Sequence, residues 1–316
     1  MISSEKIIQL KLIIENNLAP LVDNDYVLLE LPYYSNVGDL LIWKGEEFFL
    51  KNIQYNCLMK KSFHTFNFPA LDKNVIILLQ GGGNWGDVWT GKETPHYFRK
   101  EVVKAYPDNK IIVFPQTIHY DDMTNLSKDA ELFSKHENLT ICTRDLVSYN
   151  TIVENYRNHC LLLPDMAFCI PQSYIKRFEK AKTDKILFLQ REDNELSQVD
   201  FSNMIHEKKN DVKDWPMMDV NLRINKVLSI VLWHKKRFFP NIVIDLYFQQ
   251  LHKDVLIKKG IKFISSYKKV YTTRLHVAIL CILLGREFVF FDNSYGKNYN
   301  FYKQWLSDLE TIKFLK

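Results

Sequence analysis

The chain has 316 residues, of which 47% are hydrophobic and 25% charged. This is ordinary globular usage, with apolar material for a sizeable core and a length that suits two domains or one large α/β domain. A net charge of +5 is too small to point to nucleic acid, though it suits anionic substrates or loose contact with an acidic membrane surface.

Residues 1–17 are amphipathic. Glu5, Lys6, Lys11 and Glu15 interrupt the apolar run, so the unbroken core of a signal peptide is missing. Short runs rich in Val, Ile and Leu then predict strands at 26–32, 75–80, 110–114, 139–143 and 160–163. Their continuous apolar character predicts a parallel sheet covered on both faces. Helical patterns fall between them at 40–51, 94–105, 126–136 and 145–156, which is a βαβ rhythm. The charged stretch Tyr174–Lys185 reads as an interdomain connection. Beyond it come strand 186–190, helices near 219–234 and 241–258, strand 269–273, helix 274–284, strand 287–291 and a last helix, 299–310.

The expected architecture is therefore α/β, with two doubly wound, Rossmann-like lobes facing one cleft in a GT-B-like arrangement. The lobes should cover residues 1–173 and 174–316, with the last helix free to pack back on the first lobe. The longest apolar run, Val277–Leu284, is too short to span a bilayer. The chain is read as cytoplasmic. The 21 Phe and 16 Tyr are read as a phenylalanine-rich core rather than a carbohydrate-binding face. Cys142, Cys160, Cys169 and Cys281 lie in apolar runs and form no C-x-x-C pair, so they read as reduced, buried thiols, and no metal site is expected.

In doubly wound folds, ligands sit at the carboxyl ends of the strands, and polar or glycine residues occupy those ends here. Asn36-Val37-Gly38-Asp39 follows the first strand. Gly38 permits a turn, and Asp39 sits where an N-cap belongs, either as a simple cap or as a general base for a sugar hydroxyl. Gln80 to Asp87, with Gly81, Gly82, Gly83 and Asn84, lets backbone N–H groups approach an anion. The string matches G-x-G-x-x-G, but the next strand ends in Phe114-Pro115-Gln116 without the acidic residue a dinucleotide site needs, and Trp85 would crowd the pyrophosphate.

Arg144, after strand 139–143, can grip a carboxylate or phosphate through two parallel hydrogen bonds, or pair with Asp145. Asp165 is a weaker candidate, which a turn after Pro164 would also explain. Arg191 could add a positive contact at the first strand end of the second lobe. Arg274, Leu275 and His276 open a strongly apolar helix, where the helix dipole and free N–H groups favour an anion. There Arg274 would bind the anion and His276 would move a proton. Ser294 and Lys297, after the last strand, read as phosphate contacts. Lys235, Lys236, Arg237, Phe238 and Phe239 form either a solvated loop or a contact with anionic lipid headgroups.

In this order the motifs resemble the polysaccharide pyruvyltransferase family. The matching pieces are NVGD at 36–39, QGGGNWGD at 80–87, FPQTI at 114–118, CTRDLVSY at 142–149, LPDMAF at 163–168 and TTRLHVAILCILLG at 272–285, with a DNSYGKN ending like that of the succinoglycan branch. The chain has Thr117 where some members carry glycine. The resemblance implies a GT-B-like fold and phosphoenolpyruvate as co-substrate, with no redox cofactor. It also implies a ketal placed on two hydroxyls of a surface-glycan sugar, with an acceptor that is often lipid-linked on the cytoplasmic face. It puts Arg274 and His276 on the donor, Arg144 on its carboxylate or phosphate, and Arg191 at a less defined donor position. The reaction calls for one acid (His276), one base (Asp39) and cations around the donor. Two other readings stay open: a GT-B glycosyltransferase using a nucleotide sugar, and a non-catalytic glycan-assembly protein.

Overall fold

A computed structural model describes residues 1–89, 91–189, 210–215, 240–292 and 296–315. The fold is α/β, with two sheets in which every strand pair is parallel. The first contains β1 (Tyr26–Leu29), β2 (Cys57–Lys60), β3 (Ile76–Leu79), β4 (Gly82–Gly86), β5 (Ile111–His119), β6 (Leu139–Thr143) and β7 (His159–Leu162). Its order is β2-β1-β3-β5-β6-β7, with β4 pairing separately to β5. The second contains β8 (Ile186–Leu189), β9 (Asn210–Lys213), β10 (Lys269–Thr272), β11 (Phe288–Phe291) and β12 (Ile312–Leu315), in the order β12-β11-β10-β8-β9.

Setting β4 aside and counting from its own first described strand, the second sheet follows the doubly wound order 2-1-3-4-5, and the first follows the same order with one strand more, 2-1-3-4-5-6. In that order the winding reverses between the first and third strands, and a crevice opens at their carboxyl ends. The reversal points lie at β1/β3 in one sheet and β8/β10 in the other.

The chain divides into two compact units. One comprises Met1–Leu31, Ile42–Pro171 and Tyr299–Glu310, and the other Pro32–Leu41, Gln172–Asn298 and Thr311–Lys316. The division thus falls inside the helix Val37–Leu50. The expected connection Tyr174–Lys185 begins within a short helix, Gln172–Lys176.

Burial explains the central strands. Every residue of β1, β3, β6 and β11 is buried, as parallel strands covered on both faces require. The first unit's core joins Val27, Ile77, Trp85, Phe98, Phe133 and Ile141, and in the second Phe188 packs with Val289 and Phe291. Helix Leu275–Leu284 is buried along almost its whole length, which fits its unbroken apolar sequence. The expected phenylalanine-rich interior is present: Phe49, Phe114, Phe133, Phe168, Phe188, Phe288, Phe290 and Phe301 are fully buried. All five cysteines are free thiols, although Cys160 is half-buried rather than buried.

Several expected boundaries move. β5 continues through Pro115 to His119, and its register against β6 shifts between Val113 and Gln116. That irregularity accommodates a residue with no N–H to donate. Asp122 caps the helix Met123–Phe133 by accepting the Thr124 N–H at 2.7 Å, so this helix starts three residues before the expected 126. Helix Asn241–Leu246 runs through a π-helical turn, Tyr247–His252, into Lys253–Ser265, well beyond the expected end at 258. The glycine run is a correction as well: Gly82–Gly86 is not an open loop but a strand paired with the second half of β5.

Candidate functional site

In the second unit the NVGD and RLH motifs meet. Asn36 caps the helix Val37–Leu50. Its backbone carbonyl accepts the Leu40 N–H at 3.1 Å, and its side-chain Oδ1 accepts the Gly38 N–H at 3.0 Å. The cap expected of Asp39 therefore belongs to Asn36, and Asp39 sits in the first turn, where its Oδ2 accepts a hydrogen bond from Asn36 Nδ2 at 2.8 Å. Gly38 lies directly against His276: a methyl group placed on Gly38 would be 2.6 Å from His276 Nδ1. Side-chain contacts never come that close, so only glycine allows the imidazole this position.

The segment carrying NVGD is held from behind. The Tyr33 hydroxyl donates to Asp245 Oδ1 at 2.9 Å and accepts from Gln249 Nε2 at 2.8 Å, while its ring stacks on Phe248 with centroids 4.6 Å apart. Asp245 lies in the helix two residues before the π-helical turn, and Phe248 and Gln249 lie within that turn, an irregularity that recurs at functional sites.

Arg274 is the N-cap residue of helix Leu275–Leu284, and His276 occupies its first turn, half-buried. The Arg274 backbone N–H donates to Thr272 Oγ1 at 3.0 Å. Its guanidinium grips Asp214 in a two-pronged pair, Nε to Oδ1 and Nη2 to Oδ2, both at 2.6 Å. The anion on this fork is thus a carboxylate of the protein. Asp214 lies in a stretch where sequence offered no motif. Leu275 is buried, so its side chain is part of the packing rather than an open surface. Lys297 begins the helix Lys297–Phe301, half-buried. Its neighbour Asn298 donates from Nδ2 to the carbonyls of Thr273 and Phe291, at 2.6 and 2.9 Å, and so ties together the chain ends that leave β10 and β11. Arg191, Ser294 and the basic–aromatic segment from Lys235 to Phe239 lie outside the described residues.

The first unit gathers a second polar set at the ends of β3, β5, β6 and β7. Arg144 and Asp165, proposed separately from sequence, form one ion pair, Nη1 to Oδ2 at 2.5 Å, with each side chain 1% exposed. Arg144 Nε also donates to Thr117 Oγ1 at 2.9 Å, and the Arg144 carbonyl accepts from Trp305 Nε1 at 2.8 Å. Asp145 is not its partner. Asp145 caps the next helix, accepting the Ser148 N–H and hydroxyl, each at 2.8 Å. Asp165 is also a cap, accepting the Ala167 N–H at 2.9 Å.

Asn84 is turned to a structural use. Its Oδ1 accepts from Arg99 Nη2 at 2.7 Å, and Arg99, fully buried, pairs in turn with Glu30 through Nε at 2.9 Å and through Nη2. Glu30 holds a left-handed backbone conformation, φ 70°, just past β1, which a side chain seldom adopts. The pair with Arg99 pins it there. Gly81 sits under Glu46, whose Oε1 accepts the Gly81 N–H at 2.9 Å. Glu46 was missed, although a signal existed: Ile42, Phe49 and Leu50, at helical spacing from it, place Glu46 on the apolar stripe. Among the described residues no group of three or more His, Cys, Asp or Glu is placed to hold a metal ion. No described helix is long and apolar enough to cross a membrane.

A parallel α/β scaffold with polar residues gathered at its strand ends defines a class of ligand-binding enzymes wider than any one activity. The family is fixed by comparison. The polysaccharide pyruvyl transferase family model matches residues 36–295, and the chain belongs to that family. It is 35% identical over 306 residues to the EpsO protein of Bacillus subtilis (strain 168), whose name marks it as a candidate pyruvyl transferase. That match covers 93% of this chain and 89% of EpsO. Pyruvyl transferase 1 of Schizosaccharomyces pombe is 26% identical, over 88% of this chain and 69% of its own length. A crystal structure of a functionally uncharacterised Klebsiella pneumoniae protein shares the fold at 19% identity. Its TM-score is 0.63, over 97% of this chain and 98% of that one.

Proposed function

We propose that this chain transfers the pyruvyl group of phosphoenolpyruvate to two hydroxyls of a sugar in a surface polysaccharide or its lipid-linked precursor, forming a cyclic ketal and releasing phosphate. The observation that carries the reading is the packing of His276 on Gly38, which brings the RLH motif against the NVGD motif that carries Asp39.

In this reading His276 protonates the donor methylene, making it a methyl group and leaving C2 electrophilic. One sugar hydroxyl adds to C2 and gives its proton to Asp39. The C2–O bond to phosphate breaks, and the second hydroxyl closes the ring at C2, its proton leaving with the phosphate. Positioned proton transfer contributes roughly 10²–10⁴-fold to such a rate. Arg274, oriented by Asp214, and Lys297 are proposed donor contacts, together with Arg191 and Ser294. Arg144, committed to Asp165 and Thr117, is proposed to support the strand ends from below rather than to touch the donor. We assign donor binding to residues of the second unit and acceptor binding to the glycine strand of the first. The basic–aromatic segment 235–239 would bring the enzyme to anionic lipid at the inner face of the membrane.

The test is direct. Purified protein is incubated with phosphoenolpyruvate and oligosaccharide from the producing strain, and the product is examined by mass spectrometry. The expected result is a mass gain of one pyruvic acid less one water per repeat unit, with stoichiometric phosphate. Thermal stabilisation by UDP or GDP but not by phosphoenolpyruvate would overturn the reading in favour of a nucleotide-sugar glycosyltransferase.

A further inference from the structure

One buried carboxyl takes no part in the chemistry above. Glu46 is 0% exposed, and its Oε1 accepts the Gly81 N–H at 2.9 Å. The carbonyl of the same peptide group, that of Gln80, accepts from Gln116 Nε2 at 2.6 Å. Both polar ends of the peptide joining Gln80 to Gly81 are therefore held by side chains, one from the helix after β1 and one from β5. Glycine at 81 is what lets them close. A methyl there would lie 2.9 Å from the Pro115 carbonyl oxygen and 3.5 Å from Glu46 Oε1.

The protonation of this arrangement follows from its surroundings. The two other buried carboxylates that act on Glu46 already have cations, Glu30 through Arg99 and Asp165 through Arg144. Glu46 Oε2 and Gln116 Oε1 are both buried without a hydrogen-bond partner among the described residues. Two orphaned acceptors on one clamp need a donor, and a carboxylic acid supplies one where a carboxylate cannot. Burial works in the same direction. It drives the Glu46 carboxyl well above the usual carboxylate range, against the pull of the Gly81 N–H and with further help from the charges of Glu30, Asp165 and Glu47.

We propose that Glu46 is a positioning residue that, as a neutral acid and together with Gln116, clamps the Gln80–Gly81 peptide and sets the direction in which the glycine strand Gly82–Gly86 presents its backbone to the ligand. The clamp stands on the hydrogen bonds alone. Its consequence for the ligand rests on the function proposed above, since that reading puts substrate at the glycine strand.

The experiment compares the full-length wild type with Glu46→Gln, Glu46→Leu and Gln116→Leu. It reads amide hydrogen exchange in the peptide containing Gly81 without substrate, and then phosphoenolpyruvate-dependent turnover. Glutamine keeps both the acceptor for Gly81 and a donor hydrogen, so Glu46→Gln should match the wild type within about twofold in exchange and in kcat/KM. Glu46→Leu and Gln116→Leu each release one end of the peptide and should speed exchange at Gly81 by about tenfold or more, with a comparable loss of kcat/KM. Glu46→Gln behaving like Glu46→Leu would overturn the proposal, because a charged carboxylate would then be required. Wild-type exchange in either leucine variant would overturn it too. A wild type that transfers no pyruvyl group would sink the proposed function and leave the exchange comparison to decide the clamp.

Discussion

His276 rests on Gly38, and no side chain larger than hydrogen fits between them. The contact couples two motifs more than two hundred residues apart in sequence: a change at Gly38 acts on the imidazole. Gly38→Ala is expected to displace His276 and to destabilise by roughly 1–3 kcal/mol, the usual cost of an added methyl in a packed site. Turnover should fall by more than the melting temperature suggests, because the displaced group is the proposed acid. Wild-type turnover in Gly38→Ala would separate His276 from the chemistry.

His276 is only half-buried, so replacing it should leave the fold intact. His276→Asn is expected to lower kcat by roughly 10²–10⁴-fold with little change in thermal stability. Full product formation by the variant would move the acid elsewhere.

Asp214 fixes the direction of the Arg274 guanidinium. Asp214→Asn keeps the shape but removes the charge that holds the fork. We expect phosphoenolpyruvate to bind about tenfold or more weakly, as seen by calorimetry, in line with the loss of orienting contacts to a ligating group. Tighter donor binding in Asp214→Asn would show instead that the carboxylate competes for the anion seat.

Arg144 and Asp165 lie so deep that neither tolerates solitude. Removing one partner of a buried pair costs roughly 3–5 kcal/mol, whereas replacing both with apolar groups costs far less. Urea titration should therefore find Asp165→Ala more damaging than the double variant Arg144→Met/Asp165→Leu. If the double variant is as unstable as the single one, the pair contributes more than mutual neutralisation.

Glu46 predicts a pH signature. The unfolded chain's glutamate titrates near pH 4.3 or so, about the ordinary value, while the folded one holds its proton to well above that range. Below the unfolded value both states are protonated and nothing is lost. As pH rises above it the unfolded state releases its proton, the folded state does not, and stability falls until the folded group ionises. Glu46→Gln lacks this slope, so its melting temperature should gain on the wild type as pH goes from about 4.5 to about 7. Parallel curves would mean that Glu46 is ionised in the native protein.

Much of this was legible in the sequence. The buried strands announced themselves as apolar runs, and the motifs read as strand-end motifs do lie where strands end and helices begin. Three of the strands that escaped share a cause. β2, β9 and β12 are edge strands, half-exposed and carrying residues such as Lys60, Asp211 and Lys313, so they lack the unbroken apolar signature of their neighbours. β4 escaped because three glycines in a row read as a loop. In the site, the side chains were visible but their partners were not. Arg144 finds Asp165 at a separation of 21 residues and Arg274 finds Asp214 at 60, distances over which spacing carries no information and only the path of the chain decides.

The two hydrogen bonds from Asn298 bear on how this scaffold could be re-engineered. Anyone exchanging the DNSYGKN segment for that of a relative, to alter which donor or acceptor is taken, would be cutting a stitch as well as replacing the proposed donor contacts Ser294 and Lys297. A graft that spares Asn298 keeps the exits of β10 and β11 in register beneath Arg274. One that discards it loosens the platform on which the new specificity was meant to stand.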